Sequence, residues 1–225
     1  MAYKNLQPLL EFETGANPEA SIILLHGLGA NSRLFEPVAR RLAASTRGAV
    51  RFVLPQAPIQ PVLWVGGRQV SAWFDLRSSD FSQQEDEVGL RSGQQYCDVL
   101  IRRELERGIP SERVLIGGFS QGCALSLMAG IRFPERLGGI FGMSGYLPLI
   151  TTTESEQRQI NRDTPVFLAH GEQDRIILPD LAVKARDVLR NQGHEVSWHT
   201  YPIDHSICES ELTDLEGWMT RILEV

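Results

Sequence analysis

Six short apolar runs alternate along the chain with longer segments in which apolar residues recur at helical spacing. Most of the short runs are apolar on both faces, as is typical of the interior strands of a parallel sheet that helices cover on both sides. The pattern therefore predicts an α/β fold. The predicted strands are residues 22–25, 50–54, 114–116, 139–143, 166–169 and 196–201, and the predicted helices are residues 33–44, 85–107, 121–132, 179–192 and 207–223. The last strand alternates in character, which predicts a place at the sheet edge.

Length and charge limit the classes of protein that fit. A chain of 225 residues without a break in composition favours one domain. The net charge of −6, with no long run of either sign, argues against nucleic acid as a partner. The N-terminal residues 1–15 lack the apolar core of a signal peptide, and no stretch approaches the length of a membrane span, so we expect no integral membrane contact. Cys97, Cys123 and Cys208 are unevenly spaced, which favours reduced thiols and a cytoplasmic location.

One connection, residues 55–84, is much longer than the others. It contains three prolines and a Gly-Gly pair together with several large apolar side chains. A connection of this length inside a compact domain usually carries function. We expect residues 55–84 to form a lid over the carboxyl edge of the sheet and to supply an apolar substrate-binding wall. The wall residues predicted are Leu63, Trp64, Val65, Trp73 and Phe74.

The strongest local signal is the pattern G-F-S-Q-G at residues 118–122. It follows an apolar run directly and precedes an apolar helical segment directly, which is the context of a nucleophile elbow. Glycines on both sides of Ser120 suit a tight turn that exposes the hydroxyl at the sheet edge. The pattern predicts Ser120 as a nucleophile, although a simple turn serine would give the same letters.

A nucleophilic serine needs a histidine base, and in this class of fold the acid and then the histidine follow the serine in the chain. Four histidines follow Ser120. His170 precedes the candidate acid, His194 lies in a helix-to-strand connection, and His199 lies within a strand. His205 lies in the loop after the last strand, where it can return to the carboxyl edge, so we predict His205 as the base.

The histidine in turn needs a carboxylate that holds its tautomer. Asp174 follows the predicted strand 166–169 within a short loop and is the favoured acid. Glu172 and Asp204 are nearby alternatives. Glu172 lies very close to the strand end, and Asp204 adjoins His205 in sequence, which usually points adjacent side chains apart.

Acyl transfer also requires N–H donors for an oxyanion. The residue after the nucleophile, Gln121, is one predicted donor, and Leu28 in the early loop H-G-L-G at residues 26–29 is the other. This loop also suits a glycine turn that leads into a helix capped by Asn31 or Ser32. It does not match a dinucleotide fingerprint, because the third glycine and the later acidic residue are absent.

Six segments together resemble the phospholipase/carboxylesterase family, which includes acyl-protein thioesterases, lysophospholipases and bacterial carboxylesterases. They are HGLGANS, PQAPIQPV, GG followed by SAWFD, GGFSQGCA, HGEQD and YPIDHS. The resemblance implies an α/β-hydrolase fold, a triad of Ser120, Asp174 and His205, and oxyanion donors Leu28 and Gln121. It also implies a lid over an acyl-binding groove. Where relatives often carry polar residues in the lid, this chain has Leu63 and Val65.

The expected activity is hydrolysis of carboxylic esters or thioesters with short to medium acyl chains through an acyl-serine intermediate, with no cofactor and no metal. The substrate is expected to be a small or lipid-like acyl ester, or an acylated protein. Acyl-protein thioesterase and lysophospholipase are alternatives within this class, and a non-catalytic ligand-binding relative is the alternative outside it. The sequence is compatible with a homodimer and does not fix the oligomeric state.

Overall fold

A seven-stranded, mostly parallel sheet forms the centre of the protein. The structure is a computed structural model, and it describes residues 9–223 apart from 47, 79 and 82. The strands are β1 (Leu9–Glu13), β2 (Ala20–Leu25), β3 (Val50–Pro55), β4 (Ile59–Val62), β5 (Arg68–Ser71), β6 (Val114–Phe119), β7 (Gly139–Met143), β8 (Val166–Gly171) and β9 (Val196–Tyr201). The sheet order is β1-β3-β2-β6-β7-β8-β9, while β4 and β5 form a separate hairpin. The six predicted strands and the edge position of the last one are confirmed.

Among the described residues there are six α-helices, five of which pack on the two faces of the sheet. They are α1 (Ser32–Ala43), α2 (Glu87–Glu106), α3 (Gln121–Arg132), α4 (Thr153–Glu156), α5 (Pro179–Asn191) and α6 (Glu209–Leu223). Five of them were predicted with ends that differ by two residues or fewer. Asn31 caps the start of helix α1, as predicted, because its side chain accepts a hydrogen bond from the Leu34 N–H at 2.9 Å.

Two apolar clusters lie on opposite faces of the sheet. Alternate residues of β2 show this, because Ile23 and Leu25 belong to one cluster while Ile22 and Leu24 belong to the other. The first cluster is completed by α2, α3 and α5, and the second by α1 and α6. This division of the core matters for the site described below.

The register brings the carboxyl ends of the central strands to one edge. Leu25 of β2 lies beside Gly118 of β6, and Phe119 lies beside Met143 of β7. Gly171 and Tyr201, which end β8 and β9, are also register partners. The loops that follow these strands therefore meet at the same edge.

The sequence patterns predicted neither strand β1, nor the hairpin of β4 and β5, nor the short helix α4. Strand β1 pairs antiparallel with β3 at one edge of the sheet, and Phe12 stacks on Phe52 at 5.0 Å between ring centroids. The hairpin of β4 and β5 lies inside the long connection, which is therefore more ordered than a simple lid loop. The absence of a signal-peptide pattern was argued from residues 1–15, of which 1–8 lie outside the described residues.

Within residues 9–223 as described, no helix is both long enough and apolar enough to cross a membrane.

Candidate active site

Ser120 occupies a strained turn between β6 and α3. Its φ of 56° and ψ of −118° are unusual for a residue with a side chain. Its N–H donates to the Met143 carbonyl at 2.9 Å, and its own carbonyl accepts from the Ala124 N–H at 3.1 Å. These bonds, one to each neighbouring element, hold the turn in a conformation that a free chain would rarely adopt.

Close packing, rather than an unusual backbone angle, explains the two flanking glycines. A Cβ atom on Gly118 or on Gly122 would overlap the Leu25 carbonyl oxygen at the end of β2. Neither glycine has a positive φ. The glycines therefore allow α3 to approach the adjacent strand, and this places Ser120 beside the loop that begins at His26.

Ser120, His205 and Asp174 form a continuous hydrogen-bonded chain. The Ser120 Oγ lies 2.8 Å from His205 Nε2, and His205 Nδ1 lies 2.7 Å from Asp174 Oδ2. Because an ionised carboxylate can only accept, this geometry puts the ring proton on Nδ1 and leaves Nε2 free to accept the serine proton. The structure thus brings together the three residues predicted from three separate loops.

The Asp174 carboxylate is held rigidly. Its side chain is fully buried, and Oδ1 accepts from the backbone N–H groups of Ile176 at 2.8 Å and Ile177 at 2.9 Å. Those two bonds leave Oδ2 directed at His205. His170 lies on the other side, with Nε2 3.3 Å from Oδ2 and 2.8 Å from the Ile177 carbonyl. Burial lowers the pKa of His170, which favours its neutral form.

The other candidate bases make contacts elsewhere in the protein. His194 contacts the Thr164 carbonyl at 3.0 Å and the Gln157 side chain at 2.8 Å. His199 contacts the Ser197 hydroxyl at 2.9 Å.

The alternative acids also have local partners. Glu172 accepts from the Thr200 hydroxyl at 2.9 Å, and Asp204 accepts from the Ser206 hydroxyl at 2.7 Å. In the part of the chain that the structure describes, His205 is therefore the histidine that contacts both Ser120 and an aspartate.

Two backbone N–H groups beside Ser120 are available as donors. Among the described residues, neither the Leu28 nor the Gln121 N–H donates to a protein acceptor. Both residues line the same cavity as Ser120 and His205. This arrangement fits the predicted oxyanion donors.

Contacts from the long connection support the Leu28 loop. The Trp73 indole N–H donates to the His26 carbonyl at 2.7 Å, and the Gly29 N–H donates to the Ser71 carbonyl at 2.8 Å. The His26 ring donates from Nδ1 to the Gly27 carbonyl at 2.7 Å and accepts from the Ala57 N–H at 3.2 Å. Burial lowers the pKa of His26, in agreement with this neutral, donating and accepting ring.

The Gln121 side chain links the nucleophile turn to the same segment. The side-chain oxygen Oε1 accepts from the backbone N–H of Trp73 at 2.9 Å, and the side-chain nitrogen Nε2 donates to the backbone carbonyl of Phe74 at 2.7 Å. Both contacts are buried. Gln121 therefore lines the cavity, while its side chain bonds to the long connection.

A largely apolar cavity of about 490 Å³ opens over Ser120. In the described part of the chain its lining includes no Asp, Glu, Lys or Arg side chain. The lining residues are Gly27, Leu28, Ala30, Leu34, Phe35, Val38, Trp64, Leu76, Phe81, Phe119, Ser120, Gln121, Tyr146, Ile176, Ile177, His205, Ser206 and Ile207. A cavity of this volume and character suits a small molecule with apolar parts.

The predicted apolar wall needs correction. Of its five residues, Trp64 lines the cavity, and its ring lies edge-on to Phe81 with centroids 5.8 Å apart. Trp73 and Phe74 are buried in the core instead, because their backbone is fixed by Gln121 beneath the cavity floor. Leu63 is 60% exposed and Val65 packs against the core from outside, so neither contributes to the lining.

Some of the lining residues that were not predicted come from the loops around the catalytic candidates. Ile176 and Ile177 follow Asp174, and Ser206 and Ile207 follow His205. Their closeness in sequence to the predicted acid and base was a usable signal. Leu76 and Phe81 carried no such signal, since their place depends on how the long connection folds, and Tyr146, which follows β7, stacks on Phe81.

The cysteines have packing positions. Cys97 and Cys123 are buried free thiols, and burial raises the pKa of both. Cys208 is half-buried, and its sulfur lies 3.1 Å from the Ser210 hydroxyl. Among the described residues there is no cluster of three or more His, Cys, Asp or Glu side chains with metal-binding geometry.

Comparisons with known proteins identify relatives of this chain. A model of the phospholipase/carboxylesterase family matches residues 12–222. Acyl-protein thioesterase 1 of Yarrowia lipolytica is 35% identical over an alignment of 217 positions, which covers 94% of this chain and 96% of that protein. Acyl-protein thioesterase 1 of Neurospora crassa is 34% identical over an alignment of 233 positions, which covers 99% of this chain and 95% of that protein. The crystal structure of Arabidopsis thaliana SOBER1 has a TM-score of 0.85 at 28% identity and covers 91% of this chain and 99% of SOBER1.

Proposed function

The chain belongs to the phospholipase/carboxylesterase family of α/β-hydrolases, and on that premise we propose that it hydrolyses carboxylic esters and thioesters at Ser120. The observation that carries the proposal is the chain of contacts from Ser120 through His205 to Asp174, at 2.8 and 2.7 Å. The curated relatives named acyl-protein thioesterase 1 support a hydrolase that acts on acyl groups.

The reaction proceeds in two transfers of the acyl group. His205 Nε2 takes the Ser120 proton while Oγ bonds to the carbonyl carbon, and the same nitrogen then gives that proton to the leaving oxygen or sulfur as its bond to carbon breaks. Water attacks the resulting acyl-serine in the same way. The products are a carboxylic acid and an alcohol or thiol, and Ser120 regains its proton.

Three features assist these transfers. The Leu28 and Gln121 N–H groups hold the negative oxygen that forms at each addition step. Asp174 keeps the proton of His205 on Nδ1 and stabilises the imidazolium that each transfer creates. The strained backbone of Ser120 projects the hydroxyl towards the base without a search through side-chain conformations.

The cavity supports short to medium acyl chains as substrates. Residues 55–84 serve as a lid within a single catalytic domain, and Trp64, Leu76 and Phe81 are the lid residues that line the cavity. An apolar lining favours a hydrocarbon chain over a charged group. For this reason we place lysophospholipids, which carry a phosphate, behind neutral esters and acyl thioesters. The free cysteines support a cytoplasmic site of action.

A non-catalytic ligand-binding role is the weaker alternative. Such a protein would not need the serine, base, acid and two free N–H donors to converge on one cavity.

The test compares Ser120→Ala with Ser126→Ala, a buried serine of the same helix whose hydroxyl donates to the Gly122 carbonyl at 2.7 Å. Rates would be measured on p-nitrophenyl butyrate and on an octanoyl thioester. We expect the Ser120 variant to lose at least about a thousandfold in rate and the control to keep most of its activity. More than about a tenth of the wild-type rate in the Ser120 variant would refute the proposal.

A further inference from the structure

The cavity over Ser120 is lined by residues that belong to both apolar clusters. On one side, Leu76, Phe81 and Tyr146 belong to the cluster that α2 and α3 complete, and Trp64 contacts Phe81. We call these four residues the lid side. On the other side, Phe35, Val38, Phe119 and Ile207 pack with the cluster that α1 and α6 complete, and Leu34 joins them in the lining. We call these five the α1 side.

His205 lies towards the α1 side. Its ring contacts Phe119, with centroids 4.9 Å apart, and Ile207 follows it by two residues. Both neighbours pack against the α1 and α6 cluster. The base of the proposed reaction is therefore bordered by α1-side residues.

The oxyanion donors lie towards the other cluster. Leu28 packs against the cluster of α2 and α3, and the Gln121 side chain bonds to Trp73 and Phe74, which belong to it. At the tetrahedral carbon, the oxyanion faces these donors, and the leaving group must face the histidine that protonates it. The acyl chain then occupies the lid side of the cavity.

From this geometry, and resting on the proposed function, we infer that the α1 side is a binding site for an apolar leaving group, such as an alkyl or aryl alcohol or thiol, separate from the acyl-binding lid side. Among the described residues, this side of the cavity is lined by apolar side chains and by no charged group. They are Leu34, Phe35, Val38, Phe119 and Ile207. A hydrocarbon leaving group would gain contact there, while a phosphate or sugar would lose hydration without compensation.

A second groove is an alternative binding site for the leaving group, and the experiment must exclude it. A second, more polar groove on the surface beside His205 is lined by Gln173, Arg175, Ile176 and Asp204. A polar or charged leaving group would use that groove. The two sites therefore predict opposite preferences among esters of one acid.

The test uses two substrate series. In the first, the acid is butyrate and the alcohol lengthens from ethanol to hexanol, with released acid followed by titration at constant pH. These alcohols have nearly equal acidity, so a trend reports binding and not leaving-group chemistry. In the second series the leaving group is p-nitrophenol and the acyl chain lengthens from acetate to octanoate.

Three variants separate the two sides of the cavity. Leu34→Ala and the double variant Leu34→Ala, Ile207→Ala shorten the α1 side, and Trp64→Ala shortens the lid side. Leu34 is 67% exposed, so the single variant should fold even if the double variant does not. Val88→Ala removes an aliphatic side chain that is 81% exposed and lies outside the cavity lining, and it serves as the control.

We expect kcat/KM of the wild type to rise along the alcohol series, by up to about fourfold per methylene. The α1-side variants should flatten the alcohol series and keep the slope of the acyl series, and Trp64→Ala should do the reverse. Val88→Ala should change neither slope.

Several results would overturn the inference. They are a flat alcohol series in the wild type, an alcohol slope unchanged in the α1-side variants, or an alcohol slope lost in Trp64→Ala. Preference for glycerol butyrate over hexyl butyrate, together with its loss in Arg175→Ala, would assign the leaving group to the polar groove. All of these leave Ser120-dependent hydrolysis intact, whereas absence of any Ser120-dependent hydrolysis would refute the proposed function itself.

Discussion

At the scale of single residues, the most constrained group at the site is the Asp174 carboxylate. It has no exposure, two backbone donors on one oxygen, and His205 on the other at 2.7 Å. Replacing it with asparagine would keep the shape but remove the charge and offer an amide N–H towards the ring. His205 would then favour the tautomer that cannot accept the Ser120 proton.

We therefore predict that Asp174→Asn lowers kcat by roughly 10⁴-fold on chromogenic esters, with an unfolding midpoint close to that of the wild type. Asp204→Asn and Glu172→Gln are the matched controls, because their carboxylates bond to Ser206 and Thr200 outside the site. If either control proved as damaging as Asp174→Asn, the acid would be misassigned.

Glu211 is a buried acid that the proposed chemistry does not use. Its side chain is 1% exposed, and burial raises its pKa to about 7 despite the nearby Cys208 N–H. Because this folded-state pKa lies above the ordinary value of 4.5, folding favours the protonated form. The stabilisation is fully present below pH 4.5 and is lost as the pH rises through about 7, a difference of up to about 3 kcal/mol.

We predict that Glu211→Gln removes this pH dependence. Between pH 5 and pH 8, the free energy of unfolding of the wild type should fall relative to that of the variant by up to about 3 kcal/mol in urea titrations. Glu154→Gln, at an exposed position of α4, should follow the wild type. Parallel pH profiles for the wild type and Glu211→Gln would show that Glu211 is not the source.

The catalytic candidates were predictable from the sequence because each follows a recognisable strand. Ser120, Asp174 and His205 come after β6, β8 and β9 in an order typical of this class of fold. The two alternative acids bond elsewhere: Glu172 accepts from Thr200 of the neighbouring strand β9, and Asp204 accepts from Ser206. Their catalytic roles stay predictions until variants are measured.

At the scale of secondary structure, the hairpin of β4 and β5 shows where sequence patterns fail. Strand β4 contains Pro61 and has only four residues, which weakens any strand signal. Its position depends on contacts outside the strand, such as the Gln60 side-chain bond to the Ala72 carbonyl at 2.6 Å. The same dependence explains why Trp73 could be identified as important but not assigned to the core.

Gln121 connects this segment to helix α3, and its loss tests that connection. Gln121→Ala would remove the buried side-chain hydrogen bonds to the Trp73 backbone N–H and to the Phe74 carbonyl, which costs about 2 kcal/mol of unfolding free energy. The backbone N–H at position 121 remains, so we expect kcat to fall but not to vanish. Urea titration and ester kinetics would measure both effects.

Gln69→Ala, at an exposed position of β5, is the control for this prediction. A loss of stability below about 0.5 kcal/mol in Gln121→Ala would mean that the long connection holds its place without this side chain.

At the scale of the whole molecule, the site arises because a mostly parallel sheet gathers the loops after β2, β6, β8 and β9 at one edge. Periodicity predicts that sheet, so it also predicts which loops meet. The cavity lining is different, since it combines residues of α1, the long connection and several loops. Such a surface depends on packing across many segments, and no local pattern encodes it.

The central claim is that Ser120 carries the acyl group, and stoichiometric labelling with diethyl p-nitrophenyl phosphate tests it most directly. The reagent phosphorylates an activated serine and releases p-nitrophenol, and peptide mass spectrometry locates the label. We expect release of one p-nitrophenol per chain, the diethylphosphoryl group on Ser120, and loss of ester hydrolysis in proportion to labelling, with Ser120→Ala unlabelled. Label on another residue, or full ester hydrolysis by protein labelled at Ser120, would contradict the account.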